Sequence, residues 1–182
     1  VKKKTAKKKA VAKKVVVKAP AVIAVDPAWP KLAPAGLVDP ATEAKITEIM
    51  SRMTLEEKVG QTIQADINFI KPEELKIYPL GSILAGGNSS PGQNERATPD
   101  QWLKLADDYW RAAAERPTKA PIPLLFGIDA VHGHSNLVGA TIFPHNVGLG
   151  ATHNPDLIEK IGEATAAEMA AAGVDWTFAP TV

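Results

Sequence analysis

Residues 121–129 read PIPLLFGID, an apolar run closed by a glycine and a single carboxylate. The run is too short for a helix, has no polar alternation, and begins with prolines, so it suits a strand buried on both faces. Two other stretches share its character: LGSILAGG (80–87) and VDWTFAPTV (174–182). Between the three lie segments of helical period. TPDQWLKLADDYWRAAAE (98–115) sets Trp102, Leu105, Ala106 and Tyr109 on one side. NPDLIEKIGEATAAEMAAAG (154–173) opens on Asn154 as a cap, has Pro155 in its first turn and stops at Gly173.

Strand, helix, strand, helix, strand, with apolar strands, is the pattern of a parallel sheet covered by helices. Such units close into a (β/α)₈ barrel or form an open doubly wound sheet, and in both the function gathers at the carboxyl ends of the strands. The polar residues sit there. Gly86, Gly87, Asn88, Ser89 and Ser90 follow the first strand, and Asp129 and His132 follow the second. Upstream, ATEAKITEIMSRM (41–53) brings Ile46, Ile49, Met50 and Met53 round at helical spacing. Thr54 and Glu57 then form a capping box ahead of Leu55, Val59 and Ile63. Three βα units would leave an unpaired sheet edge, so the chain is expected to be a piece of something larger.

The net charge of +1 conceals an asymmetry. Residues 1–18 carry nine lysines and no acid, while the remaining 164 residues hold 12 Lys+Arg against 20 Asp+Glu. That basic tail has the composition of a solvated, disordered leader, with contact to an anionic surface as its functional alternative. No aromatic is interleaved with the lysines, so nucleic acid is not an expected partner. Residues 19–40 form an extended lead-in, punctuated by Pro20, Pro27, Pro30, Pro34 and Pro40 and anchored by Trp29. The folded domain is expected over 41–182. The chain has no cysteine, which removes thiol nucleophiles, thiolate metal sites and disulfides. No apolar run approaches a membrane span, and Lys18 and Pro20 interrupt what would be a signal-peptide core.

All four histidines (His132, His134, His145, His153) fall in residues 124–155, together with five glycines and Asp129. The cluster invites a metal reading, but there is no HExxH and no carboxylate spaced to complete a ligand shell. The histidines are expected to make hydrogen bonds that fix a glycine-rich loop. GNSSPG and GLGATHNP lack the phosphate-loop and dinucleotide fingerprints, which leaves a nucleotide-binding sheet only as a fallback. No GxSxG elbow is present for a serine hydrolase. Asp129 remains, a carboxylate at the end of an apolar strand. Either it closes its own loop by an Asx-turn, or it offers paired acceptor oxygens to ligand hydroxyls.

The stretches MTLEEKVGQ (53–61), LGSILAGGNSSPG (80–92), FGIDAVHGHSNLVGATIFPHNVGLGATHNP (126–155) and GVDWTFAPTV (173–182) resemble the N-terminal domain of glycoside hydrolase family 3, in its β-glucosidase and exo-β-1,3/1,4-glucanase branch. The resemblance implies an α/β fold, a partial (β/α)₈ TIM-like barrel comprising about the first three βα units. It implies retaining hydrolysis of terminal non-reducing β-D-glucosyl residues, with β-linked glucosides or glucan oligosaccharides as partners and no cofactor or metal. Asp129, in the position of the GIDAVHG aspartate, would bind hydroxyls of the terminal glucose. Gly86, Gly87, His132 and Asn136 would be the scaffold of the surrounding loops. The resemblance places the nucleophile and the acid/base outside this chain, so the isolated 182 residues are expected to be inactive. It also implies a periplasmic or secreted location. Asn88 stands where many members carry a third glycine, and is expected to tolerate left-handed geometry. A truncated, non-catalytic sugar-binding or tethering product is the competing reading.

Overall fold

The computed structural model describes residues 38–181. The basic tail, Trp29 and nearly all of the proline-rich lead-in lie outside the described residues, as does Val182. Five α-helices are present among the described residues: α1 (Pro40–Arg52), α2 (Leu55–Gln61), α3 (Pro99–Ala114), α4 (Asn146–Gly150) and α5 (Pro155–Ala171). Four strands accompany them: β1 (Gln64–Asp66), β2 (Ser82–Ala85), β3 (Leu125–Ile128) and β4 (Trp176–Thr177).

The strands form one parallel sheet in the order β1-β2-β3-β4. Gln64 pairs with Ser82, Ser82 with Leu125, and Gly127 with Trp176, so each strand lies beside the next in sequence. A 3₁₀ turn at Pro72–Lys76 connects β1 to β2, α3 connects β2 to β3, and α4 with α5 connects β3 to β4. The α/β architecture with a parallel sheet agrees with the sequence pattern. The sheet differs in having a fourth strand, β1. Its three residues, QAD, are too few and too polar to show a period. The expected strands also shorten at both ends. Pro121 and Pro123 have no N–H for a ladder, so β3 begins only at Leu125.

The helix starts follow their caps. The Asp39 carboxylate accepts from the Thr42 N–H at 2.8 Å ahead of Pro40. Thr54 and Glu57 make the reciprocal pair, at 3.2 Å and 2.7 Å. The Thr98 N–H donates to Gln101 Oε1 at 2.8 Å, and Asn154 Oδ1 accepts from the Leu157 N–H at 3.1 Å. At its far end α5 stops one residue before Ala172, and Gly173 takes the left-handed φ of +77°.

The core lies between the sheet and α3. Leu75, Leu80, Ile83, Trp102, Tyr109, Phe126, Ile128, Met169 and Val174 are buried together. The Tyr109 hydroxyl donates to the Ile70 carbonyl at 2.5 Å, and burial pushes its pKa up to about 12. α1 departs from expectation: it forms over the expected residues, but none of them is buried. In α2 the apolar Leu55 and Val59 face solvent, and Ile63 falls beyond the helix. The period of an apolar face specifies a helix without supplying a partner for it.

Candidate functional site

The carboxyl ends of the four strands are joined by side chains that reach across the sheet. At the end of β1, Asp66 accepts from the Gly86 N–H at 3.1 Å, from the Ser89 hydroxyl at 2.8 Å and from the Asn68 N–H at 2.8 Å. At the end of β2, Gly87 takes a left-handed φ of +52°, and a Cβ there would meet nothing within 4 Å, so the backbone angle alone selects glycine. The left-handed residue of this loop is therefore Gly87, not Asn88. Just past β3, the Asp129 Oδ2 accepts from the Gly87 N–H at 2.7 Å. Asn136 donates to the Gly87 carbonyl at 2.9 Å, so both polar groups of one peptide segment are gripped from the β3 side. From β4, the Thr177 hydroxyl donates to the Asp129 carbonyl at 2.7 Å.

Asp129 thus holds a neighbouring loop 42 residues away and does not close an Asx-turn of its own. The cross-strand bond uses one carboxylate oxygen. The other makes no hydrogen bond to the protein among the described residues, and the side chain is half-buried. Ala130 next to it has φ +34°, a strained angle for a residue with a Cβ. Together these features present a fixed carboxylate oxygen at the rim of the sheet, beside the exposed Gly87.

The glycine-rich segment after Asp129 is folded back on itself. The Phe143 N–H donates to the His132 carbonyl at 2.9 Å. Gly133 lies so close to Thr141 that an added Cβ would sit 2.2 Å from its carbonyl oxygen, and its φ is +82°. Glu168 of α5 pins the same turn, accepting from the Thr141 N–H at 3.1 Å and from its hydroxyl at 2.9 Å. Gly127, within β3, leaves room for the Trp176 ring, which a Cβ would approach to 2.5 Å.

The histidines divide among different tasks. The ring of His132 lies 5.2 Å from that of His145, and His145 Nδ1 accepts from the Val147 N–H at 3.2 Å at the start of α4. His134 is fully buried, with its ring in edge contact with Trp102 at 5.5 Å and neither nitrogen bonded to the protein. Burial holds its pKa below the ordinary histidine value, against a weaker opposing pull from Glu168. His153 takes φ +50° in the turn before α5. The expectation that these side chains hydrogen-bond the loop holds for His145 and fails for His132, whose buried Nδ1 has no partner among the described residues, and for His134, which packs as an aromatic core residue.

Of the residues singled out from the sequence, Asp129, Asn136, Gly86 and Gly87 fall in one connected cluster, while His132 supports the loop behind it through its carbonyl. Asp66 and Thr177 belong to the same cluster, and the sequence pattern does not single them out. Asp66 is masked by the shortness of β1; its signal is a lone acid at the end of QAD. Thr177 lies inside an apolar strand, and only the pairing of β3 with β4 gives its hydroxyl a role.

Residues 54–182 match the family described as the glycosyl hydrolase family 3 N terminal domain. The chain is 33% identical over 159 residues to a lysosomal beta glucosidase of Dictyostelium discoideum, covering 78% of this chain and 19% of that protein. It is 30% identical over 148 residues to a periplasmic beta-glucosidase of Salmonella typhimurium, covering 80% of this chain and 17% of the relative. Among solved structures, the exo-1,3/1,4-beta-glucanase of a Pseudoalteromonas species superimposes with a TM-score of 0.73 at 50% identity, over 79% of this chain and 18% of that one. The chain therefore spans about a fifth of the length of these relatives, and it belongs to glycosyl hydrolase family 3, matching that family's N-terminal domain.

Proposed function

We propose that this chain supplies part of the site for the terminal glucose in a retaining β-glucosidase or exo-β-glucanase, and that Asp129 is its sugar-binding carboxylate. The observation that carries the reading is the geometry of Asp129. One oxygen is tied to the Gly87 N–H at 2.7 Å, and the other is left available beside the rim. A carboxylate oxygen so held can accept from sugar hydroxyls without reorganising, because the side chain is already oriented by the Gly87 amide and its backbone by Thr177.

In the retaining reaction a second carboxylate attacks the anomeric carbon while a carboxylic acid protonates the departing glycosidic oxygen. Water then releases glucose from the covalent intermediate. Neither role is assigned to a residue of this chain, and alone it would not complete the reaction. Its part is to bind and orient. Residues 41–182 are read as the opening part of a (β/α)₈ barrel. The support is the all-parallel order β1-β2-β3-β4, with β1 and β4 as edges among the described residues and every site group at the carboxyl ends. β-Linked glucosides and glucan oligosaccharides are the proposed partners.

The test is Asp129→Asn in the full-length protein, assayed on an aryl β-glucoside. Hydrogen bonds to sugar hydroxyls strengthen as the transition state forms, so kcat/KM should fall by several kcal/mol, on the order of a hundredfold or more. An unchanged kcat/KM would remove Asp129 from the site.

A further inference from the structure

The two carboxylates of the strand-end cluster are engaged differently. Asp129 uses one oxygen within the protein, whereas Asp66 uses both. Asp66 Oδ1 accepts from the Asn68 N–H at 2.8 Å, and Oδ2 accepts from the Gly86 N–H at 3.1 Å. The Ser89 hydroxyl lies 2.9 Å and 2.8 Å from the two oxygens, and it accepts in turn from the Asn68 side-chain amide at 2.7 Å. Ser89 is only 4% exposed, so without that acceptor its hydroxyl would be a buried unpaired donor. A carboxylate surrounded in this way is fixed in orientation and has little acceptor capacity left for a ligand.

What Asp66 holds is the support of Asp129. Gly86 donates to Asp66, and the next amide, Gly87, donates to Asp129 at 2.7 Å, so two successive N–H groups link the ends of β1 and β3. Gly86 lies so near that an added Cβ would sit 3.3 Å from Asp66 Oδ2. The Ser89 N–H closes the turn onto the Gly86 carbonyl at 2.8 Å. Two adjacent glycines have wide backbone freedom, and no Cβ restrains this part of the turn. Its shape therefore comes from the groups that grip it. Asp66 does so from the β1 side, and Asn136, which donates to the Gly87 carbonyl, from the β3 side. Removing Asp66 releases Gly86 and Ser89 together, and the Gly87 N–H can then move off its line to Asp129. A displacement of about 1 Å at a substrate-positioning group costs up to about a hundredfold in rate.

We propose that Asp66 is a positioning residue for Asp129: through Gly86, Ser89 and Gly87 it fixes the amide that orients the sugar-binding carboxylate, and it does not itself contact the sugar. The inference rests on the reading of Asp129 as the ligand of the terminal glucose.

The experiment is a double-mutant cycle in the full-length protein. kcat and KM are measured on an aryl β-glucoside for the wild type, Asp66→Ala, Asp129→Ala and the double variant. Asp66→Ala alone should lower kcat/KM about tenfold, with most of the loss in kcat. The loss is smaller than for Asp129→Ala because Asn136 still holds the Gly87 carbonyl. In the Asp129→Ala background the same substitution should cost less than about twofold, since no carboxylate remains to be oriented. Additive losses would overturn the proposal, because Asp66 would then act on its own, as a sugar contact or as general support of the fold. A wild-type kcat/KM in Asp66→Ala would overturn it as well. Should Asp66→Ala melt too low to assay, Ser89→Ala completes the same cycle, since it cuts the hydroxyl link and leaves both carboxylates in place. If Asp129→Ala keeps the wild-type kcat/KM, the reading of Asp129 falls and this inference with it, whereas an additive cycle removes the inference alone.

Discussion

Helices α1 and α3 begin in the same way and end in different surroundings. Each opens on an N-cap residue followed by proline, Asp39-Pro40 and Thr98-Pro99, and each carries apolar residues at helical spacing. In α3 that face is the centre of the core, with Trp102, Ala106, Tyr109, Ala112 and Ala113 buried. In α1 no residue is buried, and Ile46 and Met50 remain 43% and 47% exposed. The contrast separates two decisions that a sequence pattern merges. Caps and propensity settle whether a helix forms, whereas a partner surface settles whether its apolar face contributes stability. α3 has that surface in β2, β3 and the turn before β2; among the described residues no such surface buries any residue of α1, and Ile49 is only half-buried.

The largest effect is expected at Trp102, the centre of the buried face of α3. Its side chain is fully buried and also backs His134, at the root of the loop that follows Asp129. Trp102→Ala should cost about 3–5 kcal/mol, since the surrounding sheet and helix cannot collapse into the space. Urea denaturation of the full-length protein, followed by fluorescence, measures it. A loss below about 1 kcal/mol, the range of an ordinary surface-to-intermediate change, would mean that α3 is no better anchored than α1.

The same contrast sets how much of the molecule was legible in its sequence. β2 and β3 could be read because they are apolar runs bounded by glycine and proline, and the caps at Thr54 and Asn154 because their partners lie three residues away. The carboxyl-end placement of Asp129 followed from the same strand pattern. β1 could not be read, because three residues carry no period, and Asp66 was lost with it. The burial of α3 and the exposure of α1 could not be told apart either, for burial depends on what lies across the gap and not on spacing. His134 shows the point in one residue. As a letter it resembles His132 two positions earlier, yet it is sealed against α3 while the ring of His132 faces that of His145.

That buried imidazole ties the loop after Asp129 to α3 and carries a smaller, pH-dependent effect. His134 faces Trp102 from α3 and feels Glu168 from α5. Burial lowers its folded pKa, and Glu168 raises it by less. The unfolded chain, with histidine near 6.5, therefore binds more protons than the folded one as pH falls. The neutral, buried His134 contributes fully above about pH 6.5, and stability is lost as the pH drops below that value towards the lowered folded pKa. Melting temperatures of the full-length protein at pH 7.5 and pH 5.5 should show this loss, and His134→Phe should reduce the difference between them. An identical difference in the variant would mean that some other group carries the acid sensitivity.

The smallest expected effect lies in α1 and is the most demanding test of the contrast. Met50 is at the centre of the apolar spacing of its helix, and by pattern alone Met50→Ala looks like a core deletion. Its side chain is half exposed, so little transfer free energy is at stake, and alanine has a helix propensity at least as good as that of methionine. The substitution should change stability by no more than about 0.5 kcal/mol in either direction, measured by urea denaturation beside Trp102→Ala. A cost approaching that of Trp102→Ala would give the α1 face a partner and erase the distinction between the two helices. A null result would establish that, in this chain, the same apolar spacing is structural in one helix and unsupported in the other.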